Sequence, residues 1–396
     1  MDRPLQEQVE SNRVADNQLT FFEFFAGGGM ARLGLGAKWK CLFANEWCEK
    51  KAASYQAQFD NGEMKIEDVA NLTLKNLPGT PQLVWASFPC QDLSLAGSGA
   101  GLKGSRSGTF RPFWKLIKSM ISANRKPGIV VLENVVGALT SHNGQDFNTI
   151  VRSLAEAEYR VGAIVMDAIK FLPQSRPRLF IVGVQATQPI PAALCSFSEN
   201  LEWHPKAMRE AFLRLPERLK KNWVWWSIPA PTAPVPPLNN LIEDDPVGVC
   251  WHTPEQTQKL IGLMAPLHLE KLEAAKRLRK RVVGTIYKRT RPTGEGSRAQ
   301  RAEVRFDQIS GCLRTPVGGS SRQIIIVVNR NRVRTRLLSP REAARLMGVP
   351  ETYKLPKNYN DAYHLFGDGL AVPVVEWLAQ NLLTPLASSL AKVLAA

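Results

Sequence analysis

Short apolar runs alternate with helical patterns through the first half of this chain. Between residue 19 and about residue 185, the runs Thr20–Phe25, Cys41–Asn45, Leu83–Ser87, Ile129–Glu133 and Leu179–Val184 read as buried strands. Helical periodicity predicts helices from Gly108 through Lys118 and from Asn148 to Ala157. This rhythm predicts an α/β fold, a Rossmann-like doubly wound and mostly parallel sheet. The texture changes after Gln185. A tryptophan-rich patch (Trp223, Trp225, Trp226) precedes the proline run Pro229–Pro237, a stiff and extended connector. Lys271–Arg281 is a basic helical pattern, and Tyr287–Arg305 carries basic residues among Gly, Thr and Ser, which predicts loops. Further on come a strand, Ile324–Val328, and a helix, Ser339–Met347, with Ser339 as cap, Pro340 first and Glu342 in the first turn. An amphipathic helix, Val374–Leu382, closes the pattern.

Composition sharpens this picture. The 396 residues are 44% hydrophobic, enough for a large core and a second, smaller domain. No apolar run approaches the length of a membrane span, and the polar start MDRPLQEQVE lacks a signal-peptide core. The six cysteines show no CxxC pair, which suits free thiols in a reducing cytoplasm. None of the five histidines pairs with a cysteine at zinc-ligand spacing, so no metal site is expected. Against 35 acidic residues stand 51 Lys and Arg, a net charge of +16, and nucleic acid is the first candidate partner for such an excess.

Chemistry-bearing residues gather at predicted strand ends, where open α/β sheets bind ligands. Phe25 and the glycines Gly27, Gly28 and Gly29 follow the first strand, a turn that lets a nucleotide approach the backbone. The second strand ends in Glu46-Trp47, an acid for ribose hydroxyls beside a ring able to stack on adenine. Asp68-Val69 stands at the next strand end, able to accept from an exocyclic amine. Three successive strand ends thus suggest adenosine binding, and the absence of a GKS/T loop argues against a nucleoside triphosphate. Cys90 lies directly after Pro89 at the end of Leu83–Ser87, followed by the Gly/Ser-rich segment Ala96–Ser107, a candidate lid. Glu133 ends the strand Ile129–Glu133. In Gln174-Ser175-Arg176-Pro177-Arg178 the two arginines alternate on an extended segment, as a carbonyl or phosphate clamp would.

The ordered set FFAGGG, NEW, FPCQDLS, ENV, QSRPR, RLLSPREAARLMG and GDGLAVP resembles the motif series of the DNA cytosine-5 methyltransferases, in the manner of prokaryotic modification enzymes. The resemblance spans about Phe21 to Val375 apart from a variable middle. It implies S-adenosylmethionine as methyl donor, with Phe25, Gly27 and Gly29 on its methionine side, Glu46 at the ribose, Trp47 at the adenine face, and Asp68-Val69 at the adenine amine. It implies Cys90 as nucleophile, Glu133 at N3 and N4 of a flipped cytosine, Arg178 at O2, and Arg176 with Gln174 bracing the site. Double-stranded DNA is the implied partner, gripped by Arg289, Arg291, Ser320, Ser321 and Arg322. A cognate restriction enzyme is a candidate companion, and the chain is expected to be monomeric and nucleoid-associated.

The corresponding division is a polar lead-in over 1–18, a catalytic and cofactor-binding domain over 19–188, a target-recognition domain over 189–325, and a returning segment over 326–396. Two positions depart from the family pattern. Asp368 replaces a common Asn and cannot donate as an amide would, and Met30 replaces a common glycine, reshaping the cofactor pocket floor. Two alternatives remain: a methyltransferase of this fold acting on RNA, and a binding-only relative. The basic middle region favours duplex recognition over the first, and intact Cys90, Glu133 and Arg178 argue against the second. An amino-methyltransferase is disfavoured because no [DNS]-P-P-[YFW] motif occurs.

Overall fold

The computed structural model describes residues 18–59, 62–89, 109–292, 297–315 and 322–394. The chain divides into two compact units, one of 1–166, 178–230 and 375–396, the other of 167–177 and 231–374.

The first unit is built on a seven-stranded sheet of order β3-β2-β1-β4-β5-β7-β6. Its strands are β1 (Leu19–Phe24), β2 (Trp39–Glu46), β3 (Met64–Ile66), β4 (Leu83–Ala86), β5 (Ile129–Val135), β6 (Tyr159–Asp167) and β7 (Pro177–Gln185), and a separate short ladder in the same unit pairs β8 (Cys195–Ser196) with β9 (Trp225–Trp226). The pairs β1–β2, β1–β4, β2–β3 and β4–β5 are parallel, so the carboxyl ends of β1 to β5 share one edge. Strand β7 enters antiparallel to β5, setting Arg178 opposite Val135 and Phe180 opposite Glu133. Val84, Trp85, Val130 and Val131 are fully buried, as continuous apolar strands covered on both faces must be. Helices α1 (Met30–Leu35), α2 (Glu49–Gln58), α3 (Phe110–Ser122) and α4 (Gln145–Glu156) accompany the sheet. In α3, Phe110, Phe113, Trp114 and Ile117 repeat at helical spacing and are all buried, which fixes the face turned to the core.

In the second unit the antiparallel sheet runs β11-β10-β12-β13, with β10 Arg281–Pro292, β11 Arg298–Arg305, β12 Ile324–Asn329 and β13 Arg332–Leu337. One face packs Ile286, Val304, Ile324 and Ile326 against Leu260 of the helix Pro254–Gly262, Leu272 of the helix Pro266–Arg277 and Met264 of the link between them. The helix Pro340–Leu346 starts as its sequence predicts. Ser339 Oγ accepts from the Glu342 amide at 3.2 Å, and Glu342 Oε2 accepts from the Ser339 amide at 2.8 Å.

Several expectations need correction. Tyr287–Arg305 does not form basic loops, because β10 and β11 pair as a hairpin with Arg289 opposite Arg301. The basic helix is Pro266–Arg277 and ends before Arg281, which starts β10. The compact units also cut the chain elsewhere than at 188/189 and 325/326. Residues 189–230 hydrogen-bond into the first unit (Val161 amide to Asn222 carbonyl, Val165 amide to Trp203 carbonyl), and β12 and β13 complete the second unit's sheet. The stretch Tyr359–Ser389 is long and apolar enough to meet a length-and-composition test for membrane crossing, but 61% of its apolar window is buried. It is broken after Asp368, and the next helix starts at Val372.

Candidate active site

The turn after β1 is shaped by residues in the left-handed region. Phe25 has φ 58°, uncommon for a bulky side chain, and Gly27 and Gly29 have φ 56° and 79°. The turn is pinned to the neighbouring strand, since the Ala26 amide donates to the Asn45 carbonyl at 2.9 Å. Gly29 is required by packing as well, because a Cβ there would overlap the Phe59 ring and meet Tyr55 at 3.0 Å. At Gly27 the same Cβ would meet nothing within 4 Å, so the open side of the turn is there.

Glu46, at the end of β2, is 5% exposed. Its Oε2 accepts from the Gly27 amide and its Oε1 from the Cys48 amide, each at 2.9 Å. One carboxylate therefore ties the glycine turn to the start of α2, and each oxygen keeps a further lone pair for a ligand hydroxyl. Next to it Trp47 is 68% exposed, and Ile66, ending the adjacent β3, is 40% exposed. Large apolar side chains left uncovered at neighbouring strand ends suit the faces of a flat heterocycle. Asp68 is exposed, and its Oδ1 accepts from the Ala70 amide at 2.9 Å, capping the short turn Val69–Asn71. Val69 itself is packed in the apolar core at 4% exposure, as is Met30 at 2%.

Glu133 and Arg178 are brought together by the β5–β7 pairing. Arg178 Nε lies 3.3 Å from Glu133 Oε1, and Glu133 is nearly buried. Asn134, which the sequence reading passed over, donates from Nδ2 to the Phe88 carbonyl at 3.2 Å. That bond joins the end of β5 to the segment leaving β4, one residue before Pro89. Its only signal in the sequence was its place beside Glu133. Cys90, Ser320, Ser321 and the segment Ala96–Ser107 lie outside the described residues.

Gln174 and Arg176 belong to the second unit, and their alternation with Arg178 does not make a two-pronged clamp. Arg176 is 1% exposed, and its guanidinium donates to the carbonyls of Leu313 (2.8 Å), Gly367 (2.8 Å) and Gly369 (2.6 Å). It clamps carbonyls, but they are the protein's own. Gln174 is fully buried, donating to the Leu346 carbonyl at 2.6 Å and accepting from the Leu313 amide at 3.0 Å. Asp167 holds the segment's backbone by accepting from the Arg176 amide at 2.6 Å. The departure at Asp368 has a partner suited to an acid, since the Thr315 hydroxyl donates to it.

Arg289 and Arg291 lie on one face of β10 and both engage Glu303 of β11, at 3.3 and 2.5 Å. Partial burial works to raise the Glu303 carboxyl, but the Arg291 hydrogen bond and the two guanidinium charges hold it below its ordinary range. Arg322 donates to Asn360 Oδ1 at 2.6 Å and lies over the Tyr359 ring.

Beneath the glycine turn is a buried polar cluster that the sequence reading missed. Glu23 of β1 is 1% exposed and accepts from the Tyr55 hydroxyl at 3.4 Å, and Arg32 Nη1 donates to the same hydroxyl at 3.1 Å. Burial pushes the Glu23 carboxyl up to about 8, against the opposing pull of Arg32 and Tyr55. Its members lie on three elements with no local spacing to reveal them.

A family model, C-5 cytosine-specific DNA methylase, matches residues 19–384. Among curated proteins, the type II methyltransferase M.BsuFI of Bacillus subtilis is 28% identical over 364 residues, covering 91% of this chain and 72% of the relative. The type II methyltransferase M.HhaI of Haemophilus parahaemolyticus is 26% identical over 381 residues, covering 93% and 96%. In fold, the chain is similar to S. pombe Dnmt2 methyltransferase, with TM-score 0.57, 17% identity, and coverage of 93% of this chain and 99% of that one. A putative DNA modification methyltransferase encoded within an E. coli prophage gives TM-score 0.52 at 18% identity, with the same coverage. The strand-end chemistry and a match over nearly the whole length agree, and the chain belongs to the C-5 cytosine-specific DNA methylase family.

Proposed function

We propose that this protein methylates C5 of a cytosine flipped out of a specific duplex DNA word, through a covalent bond between Cys90 and C6. The Glu133–Arg178 pair carries this reading. It sets a carboxylate and a guanidinium side by side on adjacent strands, next to the strand that leads to Cys90, and such a pair can grip the N3, N4 and O2 edge of a pyrimidine.

S-adenosylmethionine, when bound, supplies an electrophilic methyl group. Glu46 would accept from its ribose hydroxyls, Trp47 and Ile66 would cover the adenine faces, and Asp68 would accept from the adenine amine. The chain's own residues do the rest. The Cys90 thiolate forms an S–C6 bond, and the electrons of the C5–C6 double bond become available at C5 for methylation. Glu133, hydrogen-bonded to N3, stabilises the charge that develops on the ring, while Arg178 holds O2. Loss of the C5 proton to a base then restores the double bond and expels the thiolate. Reaching C5 requires the base to leave the duplex stack. The second unit, with its basic β10–β11 hairpin, would read the word and hold phosphates through Arg289, Arg291, Ser320, Ser321 and Arg322.

The test uses the full chain with methyl-labelled S-adenosylmethionine and duplex DNA or RNA, followed by bisulfite sequencing of the DNA. Label at C5 of cytosine in one DNA word, lost in Cys90→Ala, is the expected result. Undiminished transfer in Cys90→Ala would overturn the nucleophile, and label appearing in RNA alone would overturn the substrate.

A further inference from the structure

The outer surface of α3 and α4 in the first unit carries a groove of about 260 Å³ that the methylation chemistry does not use. Arg111, Lys115 and Lys118 line it from α3 and Thr149 and Ser153 from α4, with Trp114 at its base. The three cations stand at positions i, i+4 and i+7 on one helix face, all exposed. Among the described residues no carboxylate lines the groove. The hydroxyls are bonded back to their own helix (Thr149 Oγ1 to the Gln145 carbonyl and Ser153 Oγ to the Thr149 carbonyl, both 2.8 Å), so the described lining presents cationic donors without a competing anion.

This charge pattern does not serve the helix. Arg111 lies in the first turn of α3, where the macrodipole favours acids, and that turn contains none. Lys115 follows it at i+4, and like charges at that spacing repel. An arrangement unfavourable in the free protein is offset when a polyanion arrives. Direction identifies which one. Because β4 and β5 are parallel neighbours and α3 lies between them in sequence, α3 must run back from the carboxyl edge of the sheet, where Glu46 and Glu133 lie. Arg111 is therefore nearest that edge, and Lys118 is about 10 Å farther along at 1.5 Å per residue. Along a duplex axis that distance spans about three phosphate-to-phosphate steps of one strand at about 3.4 Å of rise each.

We propose that the α3–α4 groove is a docking site for the phosphate backbone of duplex DNA flanking the target base. It adds sequence-independent affinity and plays no part in the chemistry. The inference rests on the DNA methyltransferase reading.

The test compares the full chain with the triple variant Arg111→Gln, Lys115→Gln, Lys118→Gln, and with the single variant Lys115→Glu in case the triple fails to fold. Binding of a short duplex limited to the target word and of a duplex extended on both sides is measured against salt concentration. For the extended duplex, the slope of log affinity against log salt should fall by about 2 to 3 in the triple variant, at about 0.9 per phosphate contact. The single variant should lower it by about 1. Affinity for the short duplex and the methylation rate on it should not change. An unchanged slope on the extended duplex would overturn the proposal, as would an equal loss on both duplexes. Wild-type methyl transfer is followed in parallel. Its absence alongside a groove-dependent slope counts against the methyltransferase reading and leaves the docking site standing.

Discussion

Glu46→Gln separates holding the glycine turn from holding a ligand. The wild-type carboxylate accepts two backbone N–H groups at 2.9 Å while nearly buried. Glutamine can orient its oxygen towards only one of them, and its NH2 then faces the other donor. One charge-assisted bond of about 1.5–3 kcal/mol is lost and the second becomes neutral, so a loss of roughly 2–4 kcal/mol is expected. At roughly 2–4 °C per kcal/mol for a unit of this size class, the apparent Tm should drop by about 5–15 °C. Differential scanning fluorimetry with and without S-adenosylmethionine gives both effects. Wild-type Tm should rise with ligand concentration by mass action, and the variant's should rise far less. A variant melting within about 1 °C of wild type would refute the pinning role inferred from the two short bonds. A lower Tm with an undiminished ligand response would refute the ribose role.

Other expectations follow from the same contacts. Arg176→Met strips donors from two buried carbonyls, Leu313 and Gly367, and from the partly buried Gly369 carbonyl, at about 1–3 kcal/mol for each buried one left unsatisfied, and should lower urea stability by at least about 2 kcal/mol; a change under about 1 kcal/mol would contradict the strut role. Glu303→Gln frees Arg289 and Arg291 from their counter-charge and should strengthen DNA binding and steepen its salt dependence by about 1 to 2 in slope. Equal slopes in filter binding would show that these arginines do not meet phosphates. Glu23 titrates near an ordinary 4.5 unfolded and about 8 folded, so the native state holds the extra proton. Its stabilising contribution is complete below the unfolded value and fades as pH rises through 8. Across that window Tm should fall more steeply with pH in wild type than in Glu23→Gln, and parallel Tm–pH curves would rule this out.

Much of the first unit was legible because strands buried on both faces are unbroken apolar runs. Ile129–Glu133 and Leu179–Val184 fall inside β5 and β7. Strand β6 was missed although its sequence is apolar. A Cβ on Gly162, in its middle, would overlap the Val224 carbonyl and Trp226 Nε1, so that glycine answers to a segment sixty residues away. The β10–β11 hairpin was misread for another reason. The outer third of β10 is exposed on both faces, so no alternation marks it as a strand. At the site, residues of a local motif were readable by type, as Glu46 and Glu133 were. The Cys48 amide is local to Glu46, but the Gly27 amide and Arg178 are brought to their carboxylates by strand pairing that no linear spacing expresses.

The pentapeptide Gln174–Arg178 bears on how such enzymes could be recombined. Gln174 and Arg176 are wired to Leu313, Leu346, Gly367 and Gly369, whereas Arg178 answers to Glu133. A chimera that grafted only residues 231–374 from a relative would leave the host's Gln174 and Arg176 facing foreign carbonyls. The transferable cassette is therefore discontinuous, and residues 167–177 must travel with it. Such a graft has four seams, at 166/167, 177/178, 230/231 and 374/375, and the second of them parts Arg176 and its carbonyl partners from Arg178 and its carboxylate within two residues.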